Sequence, residues 1–166
     1  MMRHLLTHLR TPALVAVIVV MLDQITKALV LRTWPLPQTG EISIIGQWLT
    51  LTYIRNDGVA FGIFQGIPQF FTVTSLLIMA GAIYYYLHHL PEHNRWSALM
   101  LGLIIGGALG NVIDRVHAAK VTDFIQVFLG SYPFPVFNVA DSAISVGAVA
   151  LIVFSLFSGP DKPTVR

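Results

Sequence analysis

The sequence predicts an α-helical polytopic membrane protein, with four transmembrane helices and a small extracytoplasmic β-sheet between helices 1 and 2. Three observations carry this prediction. The chain is 55% hydrophobic and only 11% charged, with a mean hydropathy of +0.71, whereas soluble domains carry about 25% charged residues. Four of its segments are apolar over the roughly 20 residues that a helix needs to cross a hydrocarbon core. The stretch after the first of these is rich in β-branched and aromatic residues and broken by turn signals. A length of 166 residues fits a single membrane domain.

Taken in order, residues 12–31 form the first span. Arg3 and Arg10 precede an apolar run from Ala13 to Leu22, as in a signal peptide. That run meets Asp23-Gln24 rather than a small-residue cleavage site, and apolar residues resume at Ala28, so the span reads as uncleaved. Residues 32–67 are too long for a turn. Ile42 to Ile54 reads as one or two strands, Asn56-Asp57-Gly58 as a turn, and Val59 to Phe64 as a further strand. Residues 68–87 form the second span and 96–113 the third. The third carries Gly102, Gly106 and Gly110 at four-residue spacing, with Gly107 and Ala108 beside them, a stripe that lets helices pack closely. Residues 114–137 connect to the fourth span, 138–157, and contain an amphipathic stretch from Val121 to Leu129. Residues 158–166 form a tail outside any element.

An even number of spans puts both termini on one side. Arg3, Arg10, Arg95, Lys162 and Arg166 flank that side, against Arg32, Arg55, Arg115 and Lys120 on the other. The tally is nearly even, but the basic leader of the first span favours cytoplasmic termini. Segments 32–67 and 114–137 then lie outside.

This topology collects the costly polar groups at one surface. Asp23 and Lys27 lie in the second half of span one, Asn111 and Asp114 at the end of span three, and Asn138 and Asp141 at the start of span four. An ionisable group within a span costs about 3 kcal/mol on insertion scales, so each needs a partner or a function. Asp23 and Lys27, four apart with the acid first, read as an ion pair. Asn111, Asp114 and Arg115 fall on overlapping helix faces, and the last two read either as an interfacial anchor or as part of a site. Asn138 can cap span four, which puts Asp141 at the third helical position, where an acid complements the helix dipole. Asp123 could simply be solvated.

Singly, each aspartate has a structural explanation. Together, two carboxylates at one depth suggest an aspartic dyad for hydrolysis. Mutual repulsion keeps one protonated. The ionised partner takes a proton from water while the protonated one donates to the carbonyl oxygen. A helix-start position favours Asp141 as the ionised partner.

Other classes fit less well. A serine–lysine pair of Ser142 and Lys27 leaves the acids unexplained. His88, His89 and His93 lie on the opposite side and read as a solvated loop rather than a metal site. The chain has no cysteine, which excludes disulfides and thiolate chemistry. A net charge of +2 without a basic run gives no reason to expect nucleic acid. A proton-coupled transporter or channel could use the same carboxylates, but a relay would spread polar groups through the membrane depth. A scaffold role explains the glycine stripe and not the acids.

Five motifs stand in order: Asp23-Gln24-Ile25-Thr26-Lys27, Asn56-Asp57-Gly58-Val59-Ala60-Phe61, Gly106-Gly107-Ala108-Leu109-Gly110-Asn111 running into Asp114-Arg115, Val121-Thr122-Asp123-Phe124-Ile125, and Phe137-Asn138-Val139-Ala140-Asp141-Ser142. In order, spacing and span layout the chain resembles the bacterial lipoprotein signal peptidases, the signal peptidase II family, over residues 12–157. Asp57 is a departure, since the family often has a small hydroxylated residue there. The resemblance implies a membrane aspartic peptidase of the bacterial cytoplasmic membrane. Such an enzyme removes the signal peptide of a prolipoprotein on the N-terminal side of a diacylglyceryl-modified cysteine. It implies Asp123 and Asp141 as the catalytic pair. Asn56, Gly58, Arg115 and Asn138 would bind substrate or orient the acids, supported by Asp23, Lys27, Asn111 and Asp114. It further implies no metal or organic cofactor, an extracytoplasmic sheet that cradles substrate, contact with membrane lipids, and inhibition by globomycin-type cyclic peptides. Lateral entry from lipid would let the diacylglyceryl chains stay in hydrocarbon.

Overall fold

The computed structural model describes residues 2–56, 68–89 and 94–157. These residues hold four long helices: α1 (Met2–Thr33), α2 (Pro68–His89), α3 (Arg95–Ala118) and α4 (Val139–Phe157). Each contains a stretch long and apolar enough to cross a membrane, with mean hydropathy between 1.6 and 2.2. Two helices outrun their expected spans. α1 continues back through the basic leader to Met2, enclosing Pro12. α3 runs about one turn further than expected, to Ala118, and so carries Asp114 and Arg115 on the helix itself. It starts on Asn94, whose side chain accepts from the Trp96 and Ser97 amides. It ends where Ala119 turns left-handed at φ 57° and donates its N–H to the Arg115 carbonyl.

α3 is the central helix, and its glycines decide its neighbours. A side chain at Gly102 would meet Pro12 and Val15 of α1, one at Gly106 would meet Ala16 and Val19, and one at Gly110 would meet the Asp23 carboxylate. Contacts that advance together along both chains mean that α1 and α3 run parallel. On the other side Gly107 faces Ala140 and Ile144 while Gly147 of α4 faces Met100 and Ile104, so α3 and α4 run antiparallel. The stripe therefore serves packing within the chain, as small residues do where lipid supplies no hydrophobic drive between helices. Ala82 and Tyr86 of α2 close a third side against Ala98, Leu101 and Ile104. The outward faces carry exposed Leu14, Met21 and Leu29 on α1, Val73 and Leu77 on α2, and Val149, Ile152 and Leu156 on α4. Apolar exposure this extensive suits lipid and not water.

Four strands, β1 (Ile42–Ile45), β2 (Leu49–Asn56), β3 (Val121–Leu129) and β4 (Tyr132–Pro133), form one antiparallel sheet in that order. Strands were expected only between the first two helices; half of the sheet comes instead from the segment between α3 and α4. A lone hairpin is marginal, and β3 gives β2 a partner along most of its length, from Leu49–Val127 to Asn56–Val121. Val30, Trp34, Tyr53 and Phe124 pack together and fix the sheet to the end of α1. The Asp57-Gly58 part of the expected turn, the strand from Val59 to Phe64 and the tail 158–166 lie outside the described residues.

Candidate active site

The parallel run of α1 and α3 brings their C-terminal ends to the level where the sheet sits and α4 begins. Lys27 is 3% exposed there and Asp23 is fully buried. Their ion pair forms at 2.8 Å as the sequence predicts. Lys27 also pairs with Asp114 at 3.0 Å and donates to Asn111 Oδ1 at 3.2 Å, which uses all three ammonium protons. Asp114 thus turns toward α1 rather than acting with Arg115 as an anchor. It also accepts from the Thr122 amide at 3.0 Å, which ties β3 to α3. Gln24 completes this cluster. Its amide donates to Asp23 Oδ2 at 3.1 Å and to Asp114 Oδ1 at 3.0 Å. Gln24 stands in the first motif without an expected role; its signal is an uncharged polar group in the second half of an apolar span. Asp23 Oδ1 accepts the Ala140 amide at 3.0 Å, holding the start of α4 against α1.

α4 starts with a reciprocal cap. Asn138 Oδ1 accepts the Asp141 amide at 2.9 Å, and Asp141 Oδ2 accepts the Asn138 amide at 3.2 Å. This is capping-box geometry with Asp as the third residue, and it fixes the Asp141 rotamer. The second carboxylate oxygen accepts from Asn111 Nδ2 at 2.7 Å.

Asp123 comes from β3 and is 1% exposed, so it is not the solvated residue it could have been. The pairing of Ile54 with Asp123 and Asn56 with Val121 puts Asn56 and Asp123 diagonally on one sheet face. Asn56 Nδ2 donates to Asp123 Oδ2 at 2.8 Å, and Asn138 Nδ2 donates to Asp123 Oδ1 at 2.7 Å. Asn138 therefore touches both carboxyl groups: it caps the helix of one and donates to the other. Burial is the main cause that pushes Asp123 up to about 7, and the charge of Asp141 adds to it; the hydrogen bonds from Asn56 and Asn138 pull the other way.

Both carboxyl groups line one cavity of about 520 Å³, together with Asn56, Asn111 and Arg115. Phe134 to Phe137 form one wall, and Ser142, Ser145 and Val146 of α4 another. These apolar and hydroxyl-bearing walls were not foreseen, because they follow from the segment after β4 lying beside the start of α4. The Arg115 guanidinium sits over the Phe71 ring of α2 at 5.6 Å. The Ser142 hydroxyl donates to the Asn138 carbonyl at 2.9 Å, and Lys27 is spent on its three acceptors, so no serine–lysine pair forms. Gly58 lies outside the described residues. The geometry suits general acid–base hydrolysis: two differently placed carboxyl groups facing one space, one fully buried and one at a helix start.

Comparison with known proteins agrees with this chemistry. A family described as signal peptidase (SPase) II matches residues 15–157. The chain is 42% identical over 150 residues to the lipoprotein signal peptidase of Geobacillus thermodenitrificans (strain NG80-2), covering 90% of this chain and 92% of that one. It is 43% identical over 149 residues to that of Geobacillus kaustophilus (strain HTA426), covering 89% and 95%. Among solved structures, a bacterial membrane enzyme determined by the in meso method at 2.3 Å superposes with a TM-score of 0.78 at 33% identity, covering 94% of each chain. A match through all four spans and both segments that build the cavity means that this chain belongs to the signal peptidase II family of bacterial membrane peptidases.

Proposed function

We propose that the protein is an aspartic endopeptidase that removes the signal peptide from diacylglyceryl-modified bacterial prolipoproteins, cutting on the N-terminal side of the lipidated cysteine. Asp123 and Asp141 are its catalytic pair. The observation that carries this reading is that both carboxyl groups face one cavity, joined through Asn138 and each held by two hydrogen-bond donors. Family membership supplies the substrate class.

In this reading Asp123 holds the proton near neutral pH, because its burial disfavours charge. Asp141, at the helix start, is the ionised partner. Asp141 takes a proton from water as the water attacks the scissile carbonyl, and Asp123 gives its proton to the carbonyl oxygen. Arg115 and Asn56 sit where they can orient the peptide. The Asp23–Lys27–Asp114 cluster with Asn111 holds α1, α3, α4 and β3 in register. The termini are cytoplasmic and the cavity opens on the extracytoplasmic side, in keeping with the basic leader of α1. The substrate enters from lipid along α4, where Val146 lines the cavity and is exposed. Globomycin-type cyclic peptides would compete for the same space. Among the described residues the buried ionisable side chains, Asp23, Lys27 and Asp123, gather at one end of the bundle, so the geometry does not favour a proton-coupled transporter.

The test is cleavage of a diacylglyceryl-modified prolipoprotein by purified Asp123→Asn and Asp141→Asn. Both variants should fold and neither should cleave. Wild-type-like cleavage by either sinks the assignment of the pair.

A further inference from the structure

A second cavity, of about 260 Å³, lies on the other side of the Lys27–Asp114 pair, and none of its lining residues is shared with the first. It is walled by the ends of α1 and α3 and by β2 and β3. Arg55, His117 and Lys120 stand around it, with Lys27 and Asp114 at its base and Leu31 at its membrane edge. Asp114 is the one acid among these lining residues, and Lys27 and the Gln24 amide already engage its carboxylate. Among the lining residues three cations, Lys27, Arg55 and Lys120, stand against this single carboxylate. His117 Nδ1 lies 2.9 Å from the Ile113 carbonyl oxygen, which orients the ring on α3.

Apolar side chains share the lining: Ala28 and Leu31 of α1 and Ile113 and Ala118 of α3 stand beside the basic groups, and Leu31 is more than two-fifths exposed. A pocket of positive charge at the end of two spanning helices, edged by lipid-facing side chains, matches a molecule with a phosphate head and acyl chains. A soluble phosphate would use the basic groups and leave the apolar edge without a role. Basic side chains at this level also reach the headgroup layer without leaving the bundle surface.

We propose that this cavity binds the phosphate headgroup of an anionic phospholipid in the leaflet at the active-site end. A bound lipid would bridge Arg55 of the sheet, His117 of α3 and Lys120 at the β3 entrance, and so brace the junction that holds Asp123 and Asp114 in place. This site is separate from the catalytic cavity and does not depend on the peptidase reading.

The test is lipid retention by the purified full-length protein in native mass spectrometry, with phosphatidylglycerol and phosphatidylcholine as probes. The wild type should retain phosphatidylglycerol preferentially. Arg55→Gln or Lys120→Gln should each weaken that retention about five-fold, and the double variant about 30-fold. Arg95→Gln, a charge removed from the other end of α3, should leave it unchanged. Equal retention of both lipids by the wild type overturns the proposal without any variant having to fold. Undiminished phosphatidylglycerol retention by a folded double variant also overturns it. Inorganic phosphate that competes as well as phosphatidylglycerol at equal concentration would overturn the lipid assignment.

Discussion

Asn138 does two jobs with one amide group, and two substitutions separate them. Asn138→Ser keeps an oxygen that can cap α4 but removes the Nδ2 donor that reaches Asp123 at 2.7 Å and Asn111 at 3.1 Å. Asn138→Ala removes the cap as well. Loss of an N-cap costs about 1 kcal/mol, and each of the two hydrogen bonds from Nδ2 contributes about 1 kcal/mol. Asn138→Ala should therefore lose about 3 kcal/mol of stability and Asn138→Ser about 2. The activities should not follow the same order. If the amide positions the Asp123 carboxyl group for proton donation, both variants lose both Nδ2 bonds and both should fall about thirty-fold or more, since about 2 kcal/mol of barrier is worth that much. The assays are detergent-solubilised cleavage of a lipidated prolipoprotein and thermal unfolding of the same preparations. Asn138→Ser with full activity and only Asn138→Ala impaired would mean that Asn138 is a helix cap and nothing more, refuting its role at Asp123.

Other predictions follow from the same contacts. Asp123, raised to about 7, keeps its proton below that pH and loses it above, so kcat/KM should fall as pH rises through about 7. Because its folded value lies above the unfolded one, its contribution to stability is fully present below about pH 4 and fades as pH rises toward 7. A flat rate profile between pH 6 and 8 would remove Asp123 as the acid. Asn56→Ala removes a donor that favours the ionised form, so that limb should move to higher pH; a downward move would contradict the hydrogen bond seen. Lys27→Met strands the buried Asp23 and Asp114 carboxylates without their cation and should cost about 3–5 kcal/mol, read as a large drop in unfolding temperature that Lys27→Met with Asp23→Asn partly restores. At Gly107 a Cβ would fall 2.7 Å from the Ile144 side chain and closer still to the Ala140 carbonyl, so Gly107→Ala should displace the start of α4 and abolish cleavage. At Gly81 nothing lies within 4 Å, so Gly81→Ala should be neutral or stabilising by about 1 kcal/mol. Equal behaviour of the two variants in thermal unfolding would contradict the packing described for α3.

Features set by neighbours along the chain were legible in advance. The four spans follow from length and apolarity. The Asp23–Lys27 pair follows from four-residue spacing on a helix, and the Asn138–Asp141 cap from three-residue spacing at a helix start. The family resemblance pointed to Asp123 and Asp141, and both line one cavity. What spacing does not carry is the partner across the fold. Nothing local says that Val121 to Leu129 should be a strand, because its amphipathic pattern suits a surface helix as well as a sheet, and β2 decides between them. Nothing local says that Asp114 belongs to Lys27, 87 positions away, rather than to Arg115 beside it. Gln24 looked incidental until α3 brought Asp114 to it.

The sequence by itself determined that this chain has four spans and gathers the acids and the lysine within them at one end, because hydrocarbon tolerates only helices whose ionisable groups are kept near a surface or paired. Tertiary structure alone decided which of those groups are spent on one another. Lys27 has three protons and finds three acceptors among Asp23, Asp114 and Asn111. It therefore has none left for Asp123 or Asp141, and among the described residues those two carboxyl groups face the cavity with uncharged donors bound to them.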